Sequence, residues 1–376
     1  MKILVFNGAY LPAQNYGGPV TGLANFVAQL GDRLEIAIVC RNHDLHQQTP
    51  FPGIREGFQT LGKAQVCYLP DSRMNRAEFA RILQEQKPDC LYLSSVFDAH
   101  MNLPLLRLAK KLHIPVVYAP RGELSKAVLA MKALKKRLFL TFMRLSGLYR
   151  GVYFQATSEA ERADILRELH VDAAHVICVP NLPCLQPKAE HLPKKAGALR
   201  VVSISRIHSS KNLAFAIARV QELRGDVTLD IFGPIEEEEY WQKCRALFQA
   251  DERIRYCGQV PAGEAAQTFA RYDCFLFPTL SENYSHAIAE CLLSGTPPII
   301  SKGTTPWDDV QGGYAVSLDE PQGFTSALQT LCDMDEAAFS QVRGAVRAYA
   351  AQKMKMDELN ARTMAMFARA VSGGMT

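Results

Sequence analysis

The sequence predicts an α/β protein made of two doubly wound parallel sheets, and three observations carry that reading. Short β-rich runs alternate with helical stretches along nearly the whole chain, as strands do when crossover helices join them. The alternation is interrupted once, at Val179-Pro180-Asn181-Leu182-Pro183 and the polar, Pro- and Lys-bearing stretch that follows to Lys195. A length of 376 residues also suffices for two domains, each with its own core.

The expected strands of the first half are Ile3–Phe6, Leu34–Val39, Val66–Leu69, Cys90–Leu93, Val116–Ala119, Val152–Gln155 and His175–Val179. The second series is Arg200–Ser205, Val227–Phe232, Ile254–Tyr256, Asp273–Phe277 and Pro298–Ser301. Between them, helices are expected after Tyr16-Gly17-Gly18-Pro19 to Leu30, from about Asn212 to Leu223 and from about Ser285 to Gly295. The domains are therefore expected at 1–183 and 199–352, with a linker over 184–198 and a C-terminal segment over 353–376 that is helical from about Lys353 to Val371.

Composition excludes several classes of function. The hydrophobic fraction is 48%, and no apolar run reaches the ~18–20 residues that span a bilayer. The start, Met1 to Gly8, reads as a buried strand and is too short for a signal-peptide core. The ten cysteines form no Cys-x2-Cys pair, and Cys40, Cys90, Cys178 and Cys274 fall in or beside strands. They are expected to act as small apolar residues in a reducing, cytoplasmic setting. His43 and His46 are the one close histidine pair and lack a plausible third ligand, so no metal site is expected. Residues 1–180 hold 22 basic and 15 acidic side chains, a net +7, and the remainder holds 20 and 23, a net −3. That asymmetry points to an anionic partner or surface on the first half, with nothing to suggest nucleic acid.

The residues that carry chemistry cluster after the second domain's strands. Glu282 and Glu290 stand eight positions apart, Glu282 in the loop after an apolar strand and Glu290 one turn inside the following helix. The carboxyl end of a parallel strand is the usual ligand crevice of such a sheet. Backbone amides of Asn283, Tyr284, Ser285 and His286 would point from the helix N-terminus at an anion, so two carboxylates could grip hydroxyl groups on either side of a phosphate. On the wheel, Ala287, Ile288, Cys291 and Leu292 form the core face, with His286 and Glu290 beside it. After the domain's first strand, Arg206 and Lys211 set two cations beside another helix start, able to neutralise a diphosphate without a metal ion. Near the N-terminus Gly17 and Gly18 precede a helix with Pro19 in its first turn, which allows backbone to approach a phosphate. No Gly-x-Gly-x2-Gly follows the first strand, which argues against a dinucleotide oxidoreductase.

Together the stretch Glu282–Pro297 and the Arg206-x4-Lys211 pair resemble the signatures of retaining glycosyltransferases of family 4, the group 1 glycosyl transferases. The resemblance implies a GT-B fold, two Rossmann-like domains facing an interdomain cleft, with the terminal helix crossing back to the first domain. It further implies that Glu282 faces the donor sugar, Glu290 binds the nucleotide ribose, Arg206 and Lys211 contact the donor diphosphate, and the Gly17-Gly18 loop closes on the donor. No cofactor is implied beyond the nucleotide sugar, a UDP-sugar above all, and the acceptor would be a glycan or polyprenyl-linked glycan in envelope polysaccharide synthesis. Ala119-Pro120-Arg121-Gly122-Glu123 follows a strand and is expected to line the acceptor side. The family often places a histidine after the first domain's fourth strand. Here the stretch Leu93 to His100 offers Asp98 and His100, and the sequence does not decide between them or a plain loop role.

A basic amphipathic helix is expected over 126–150, bearing Lys126, Lys132, Lys135, Lys136, Arg137, Arg144 and Arg150. It can rest on the inner face of an anionic membrane or carry an ordinary solvated basic face. Two other functions remain open at this stage: a nucleotide-sugar epimerase on the same architecture, and a non-catalytic nucleotide-sugar-binding protein.

Overall fold

The computed structural model of the protein describes residues 1–184, 190–260 and 264–373. The chain divides into two compact units, Met1–Leu182 with Met356–Thr376, and Pro183–Lys355. Residues 185–189 of the expected linker lie outside the described residues.

In the first unit the elements run β1 (Lys2–Phe6), α1 (Gly18–Leu30), β2 (Glu35–Arg41), β3 (Phe58–Leu61), β4 (Ala64–Leu69), α2 (Arg76–Gln86), β5 (Cys90–Ser94), α3 (Ala99–Leu112), β6 (Val116–Ala119), α4 (Lys126–Ala130), α5 (Ala133–Ser146), β7 (Tyr153–Ala156), α6 (Glu159–Leu169) and β8 (Val176–Cys178). Among the described residues they form one sheet in the order β3-β4-β2-β1-β5-β6-β7-β8, parallel except for the β3–β4 hairpin. Covering helices on both faces explain why these strands read as unbroken apolar runs. Alternate residues of β1 serve opposite layers: Leu4 and Phe6 pack with Phe79 and Leu105, Ile3 and Val5 with Phe26 and Leu30.

The second unit runs β9 (Ala198–Ile204), α7 (Leu213–Gln221), β10 (Asp226–Phe232), α8 (Glu238–Phe248), β11 (Ile254–Tyr256), α9 (Ala265–Ala270), β12 (Cys274–Phe277), α10 (His286–Ser294), β13 (Pro298–Ser301), β14 (Tyr314–Val316), α11 (Pro321–Asp333) and α12 (Glu336–Lys353). Its strands are all parallel, in the order β11-β10-β9-β12-β13-β14. The last helix, α13 (Met356–Gly373), belongs to the first unit, where Phe367 packs against Phe26 and Tyr92.

Three features differ from the expected elements. The sequence reading missed β3 and β14, short and incompletely buried strands in which the apolar pattern is weak. The helix expected over 126–150 is two helices, because Met131 is extended and Lys132 left-handed at φ 54°. The Nζ of Lys136 donates to the Val128 carbonyl at 2.7 Å, satisfying the end of α4 and stabilising the break. Part of the expected linker is also ordered: Lys194 is buried and its Nζ donates to the Ala198 and Cys332 carbonyls at 2.6 and 2.9 Å.

One glycine fixes how closely two loops approach at the carboxyl end of the second sheet. Gly233 follows β10 at φ 139°, and a Cβ there would lie 1.8 Å from the Ser205 carbonyl oxygen after β9. Gly197, at φ 77°, has nothing within 4 Å of that position. Gly233→Ala should therefore lose roughly 3 kcal/mol of stability or more, and Gly197→Ala only about 1 kcal/mol. Denaturant unfolding of both variants checks the difference, and equal losses would contradict the steric argument.

Candidate functional site

The order of the second sheet decides where a ligand can sit. Its chain-order first and fourth strands, β9 and β12, lie side by side, and the connections depart in opposite directions from that point. The loops beyond the carboxyl ends of these two strands therefore splay apart and leave a crevice. Both carry sequence-predicted site residues.

The loop after β9 makes a 3-10 turn over Ser209–Lys211 and then bends at Asn212, φ 57°, into α7. The Ser210 carbonyl accepts the Leu280 amide at 2.8 Å and the Thr279 hydroxyl at 3.1 Å, which ties the β9 loop to the β12 loop. The loop after β13 closes the other side. There the Thr304 carbonyl accepts the Glu282 amide at 2.7 Å, and the Trp307 indole donates to the Tyr284 carbonyl at 2.5 Å. With its backbone held from both sides, Glu282 presents its carboxylate to the Lys211 ammonium, and the two form an ion pair. Their side chains are only 17% and 11% exposed, so the pair is shielded and stronger than a surface bridge. Lys211 Nζ also lies 5.9 Å from the Phe277 ring centre.

Arg206 stands apart from that pair. It meets Glu236 of the loop after β10 at 2.5 Å, and its side chain is 39% exposed. Glu237 accepts the Ser209 amide at 2.8 Å, and that bond holds its carboxyl below the usual carboxylate range. Neither Glu236 nor Glu237 was found by sequence reasoning, because nothing local connects the loop after β10 with the one after β9.

At the start of α10, Ser285 adopts φ 60° and ψ 91°, an uncommon conformation for a residue with a side chain. Its hydroxyl caps the helix by accepting the Ile288 amide at 3.4 Å. Ile288, Cys291 and Leu292 are buried as the wheel requires, whereas Ala287 keeps some exposure and Ala289, outside the expected face, is buried. The Tyr284 ring is in the core against Trp307 and His286, so its backbone, and not its ring, faces the loop.

Glu290 is the most perturbed acid of the unit. Enclosure by protein pushes its carboxyl up to about 7, and it accepts no hydrogen bond among the described residues. The neighbouring Tyr284 hydroxyl is buried and unpaired, and its acidity is suppressed by that burial first and by Glu290 second. Of the two, only the Tyr284 hydroxyl is a fully buried unpaired group; the half-buried Glu290 carboxylate keeps solvent access, so a ligand supplying hydroxyl donors can reach and satisfy it.

The first-unit candidates lie in a different setting. Gly17, φ 61°, is the residue before α1, and Gly18 opens that helix. Asp44 accepts the Gln14 and Asn15 amides at 2.9 and 3.2 Å, which fixes the preceding loop. Asp98 caps α3 through the Met101 amide and pairs with Arg41 at 3.4 Å, whereas His100 is exposed in the first turn. Arg121 is drawn inward: its guanidinium donates to Asn181 at 2.5 Å and to the Tyr92 hydroxyl at 2.9 Å. Glu123, raised by burial, accepts the Ser95 hydroxyl at 2.7 Å and the Phe97 amide at 3.2 Å. Glu161, missed by sequence reasoning, accepts the Gly122 amide at 2.6 Å and the Thr157 amide and hydroxyl at 2.7 Å. Glu123 and Glu161 therefore hold together the loops after β5, β6 and β7, and Arg121 ties the β6 loop to β5 and to Asn181 beyond β8. Among the described residues no group of three or more His, Cys, Asp or Glu could hold a metal ion, and no helix is long and apolar enough to cross a membrane.

Comparison with known proteins agrees with this division. Residues 17–182 match the family described as Glycosyl transferase 4-like domain, and residues 198–334 match Glycosyl transferases group 1. Between them these profiles take in well over half of the chain, and the protein belongs to the group 1, family 4-like glycosyltransferases of GT-B fold. No curated protein matches the sequence. Among solved structures, the chain is similar to Alr3699/HepE of Anabaena in complex with UDP and glucose, at 16% identity and TM-score 0.72, over 98% of this chain and 99% of that one. It is also similar to the sucrose-phosphate synthase of Thermosynechococcus elongatus, at 12% identity and TM-score 0.78 over 99% of each chain. A third is the lipopolysaccharide outer core galactosyltransferase WaaB in its apo form, at 16% identity and TM-score 0.59 over 99% of each chain. These identities carry the fold.

The Glu290 environment has a measurable consequence. Its folded-state value near 7 lies above the ordinary carboxyl value of 4.5, so the folded protein binds this proton more tightly than the unfolded chain does. The stabilisation is complete below about pH 4.5 and is lost as pH rises through 7. Glu290→Gln removes the charge while keeping the shape. Relative to the parent protein it should be neutral near pH 4.5 and more stable by on the order of 3 kcal/mol at pH 8. Unfolding curves at the two pH values test this, and a pH-independent difference would contradict it.

Proposed function

We propose that this glycosyltransferase is a retaining, metal-independent hexosyltransferase that uses a nucleoside-diphosphate sugar, specifically a UDP-sugar. The observation that carries the reading is the shielded Lys211–Glu282 pair at the strand-order switch of the second sheet. The UDP and glucose bound to the similar Anabaena protein favour the same donor class.

In this reading Lys211 and Arg206 take the diphosphate, with Glu236 yielding Arg206 when the phosphate arrives. Glu282 holds hydroxyls of the donor sugar, and the backbone amides of Asn283 to His286 add to the phosphate site at the start of α10. Glu290, unsatisfied and enclosed, accepts the ribose diol, and the Gly17-Gly18 turn supplies a further backbone contact to the donor. The anomeric carbon–oxygen bond to the diphosphate breaks, and the acceptor oxygen bonds to that carbon on the same face. The acceptor's proton passes to the departing phosphate oxygen. Charge grows on the diphosphate as the bond breaks, so fixed cations and amides act on the transition state more than on the bound donor.

The acceptor is a glycan or polyprenyl-linked glycan of envelope polysaccharide synthesis, taken up at the cytoplasmic face of the membrane, where the protein is peripheral. The likeness to an outer-core galactosyltransferase favours that setting. On the first unit, Arg121 and Glu123 shape the acceptor loops from beneath, and Asp98 or His100 stands nearer the surface.

Lys211→Ala and Glu282→Gln should each lower transfer by roughly a hundredfold, equivalent to about 3 kcal/mol of transition-state stabilisation. Glu290→Ala should instead weaken the thermal upshift produced by UDP. Donor turnover and thermal shift with UDP measure these outcomes. Near-parental turnover in Lys211→Ala would remove the assigned role.

A further inference from the structure

The strongest unassigned surface lies on α5 of the first unit. Leu134, Leu138, Phe142 and Leu145 follow one another at spacings of four, four and three residues and so share one face of the helix. They are 73%, 63%, 45% and 83% exposed, and Met131, just before the helix, is 58% exposed. The opposite face is the buried one: Leu140 and Met143 enter the core, and Phe139 packs on Phe97 with ring centres 5.8 Å apart. The apolar stripe is thus surplus to the fold, and such a contiguous patch normally marks an interaction site.

Charge identifies the occupant. From Leu124 to Ser158 the sequence contains no Asp or Glu and seven basic residues, Lys126, Lys132, Lys135, Lys136, Arg137, Arg144 and Arg150. The remainder of residues 1–180 then holds 15 basic and 15 acidic side chains, so the whole +7 excess of that half resides in this segment. On the helical wheel Lys135 lies on one side of the stripe, and Arg137 and Arg144 lie on the other. Arg144 is partly engaged by Glu168, whereas Lys126, Lys132, Lys135, Arg137 and Arg150 have no ion pair among the described residues.

We propose that α5 is a membrane-docking element that lies flat in the headgroup region of an anionic bilayer, with Leu134, Leu138, Phe142 and Leu145 below the headgroups and the flanking cations among the lipid phosphates. An apolar stripe edged by cations on both sides is complementary to such a surface and to few others. A second copy of the chain is a poor fit, because a symmetric contact through this stripe would bring like charges together. The inference rests on the peripheral-membrane part of the proposed function and is independent of the donor assignments. It also gives the docking a consequence. The inner face of α5 reaches the acceptor-side loops of its own unit: Lys136 Nζ lies 5.0 Å from the centre of the Phe97 ring, and Phe97 donates its amide to Glu123. Lipid bound on the outer face of α5 is therefore one helix thickness, roughly 10 Å, from the loop that carries Asp98.

The test is sedimentation of the full-length protein with vesicles of phosphatidylcholine alone or with phosphatidylglycerol added. The parent protein should bind the mixed vesicles, release in high salt, and leave pure phosphatidylcholine largely unbound. Lys135→Gln with Arg137→Gln should weaken binding by roughly thirtyfold, since each surface cation counts about equally. Leu134→Gln with Leu138→Gln should weaken it by about tenfold or more. Both pairs are exposed, so unchanged melting curves and unchanged thermal shift with UDP show that the fold and donor site are intact. Equal binding to both vesicle types, parental binding by either double variant, or no binding by the parent protein would overturn the proposal. So would a dimer in solution that the leucine double variant dissociates. Failure of vesicle binding with a normal UDP shift would leave the donor reading standing.

Discussion

Lys211 and Glu282 are 71 positions apart, yet the arrangement of the second unit's loops converges on their contact. Two largely buried opposite charges lose much of their hydration, and attraction offsets that loss only when both are held in place. Each loop is therefore pinned by backbone. Ser210 receives Leu280 and Thr279, Thr304 receives the Glu282 amide, and Trp307 anchors the Tyr284 carbonyl. Gly233 lets the loop after β10 press against Ser205 and so sets the base of the Arg206 loop. The parallel sheet supplies the remaining constraint, because only at the β9–β12 neighbourhood do adjacent loops diverge.

Two groups of polar side chains contrast in how their neighbours satisfy them. Glu123 and Glu161 have well-formed partners that fasten loops to one another, and such satisfied networks rigidify. The buried Tyr284 hydroxyl has no partner and the half-buried Glu290 beside it accepts no hydrogen bond among the described residues, and an acid raised toward 7 by desolvation alone costs stability at neutral pH. That cost is tolerable where a ligand removes it. The strained backbone of Ser285, the residue immediately before α10, belongs to the same region.

The fold was legible because buried parallel strands announce themselves as apolar runs. β1, β5 and β12 lose almost all solvent contact and admit little else. β3 and β14 escaped notice because edge strands need only one buried side and can be short. The break at Met131–Lys132 has no glycine or proline to betray it; it depends on the Lys136 contact with Val128, a tertiary effect that periodicity does not contain. At the site, the glutamate spacing and the Arg206–Lys211 spacing could be read directly, but their pairing could not. Lys211 meets Glu282 whereas Arg206 meets Glu236, a choice made by loop packing across the sheet.

The distribution of charge on the first unit has a physical consequence of its own. A protein whose basic residues are dispersed has a weak, isotropic attraction to anions. Here the excess is confined to one segment whose exposed face is also apolar. The attraction then has a direction: long-range charge brings that face toward an anionic surface, and short-range burial of the leucines holds it there. Neither contribution suffices alone, since the cations without the stripe would be screened within roughly 8 Å at physiological salt, and the stripe without the cations would favour self-association. The break before α5 lets the helix keep its inner face on Phe97 while presenting the stripe outward, so an irregularity invisible in the sequence becomes the feature that orients the surface.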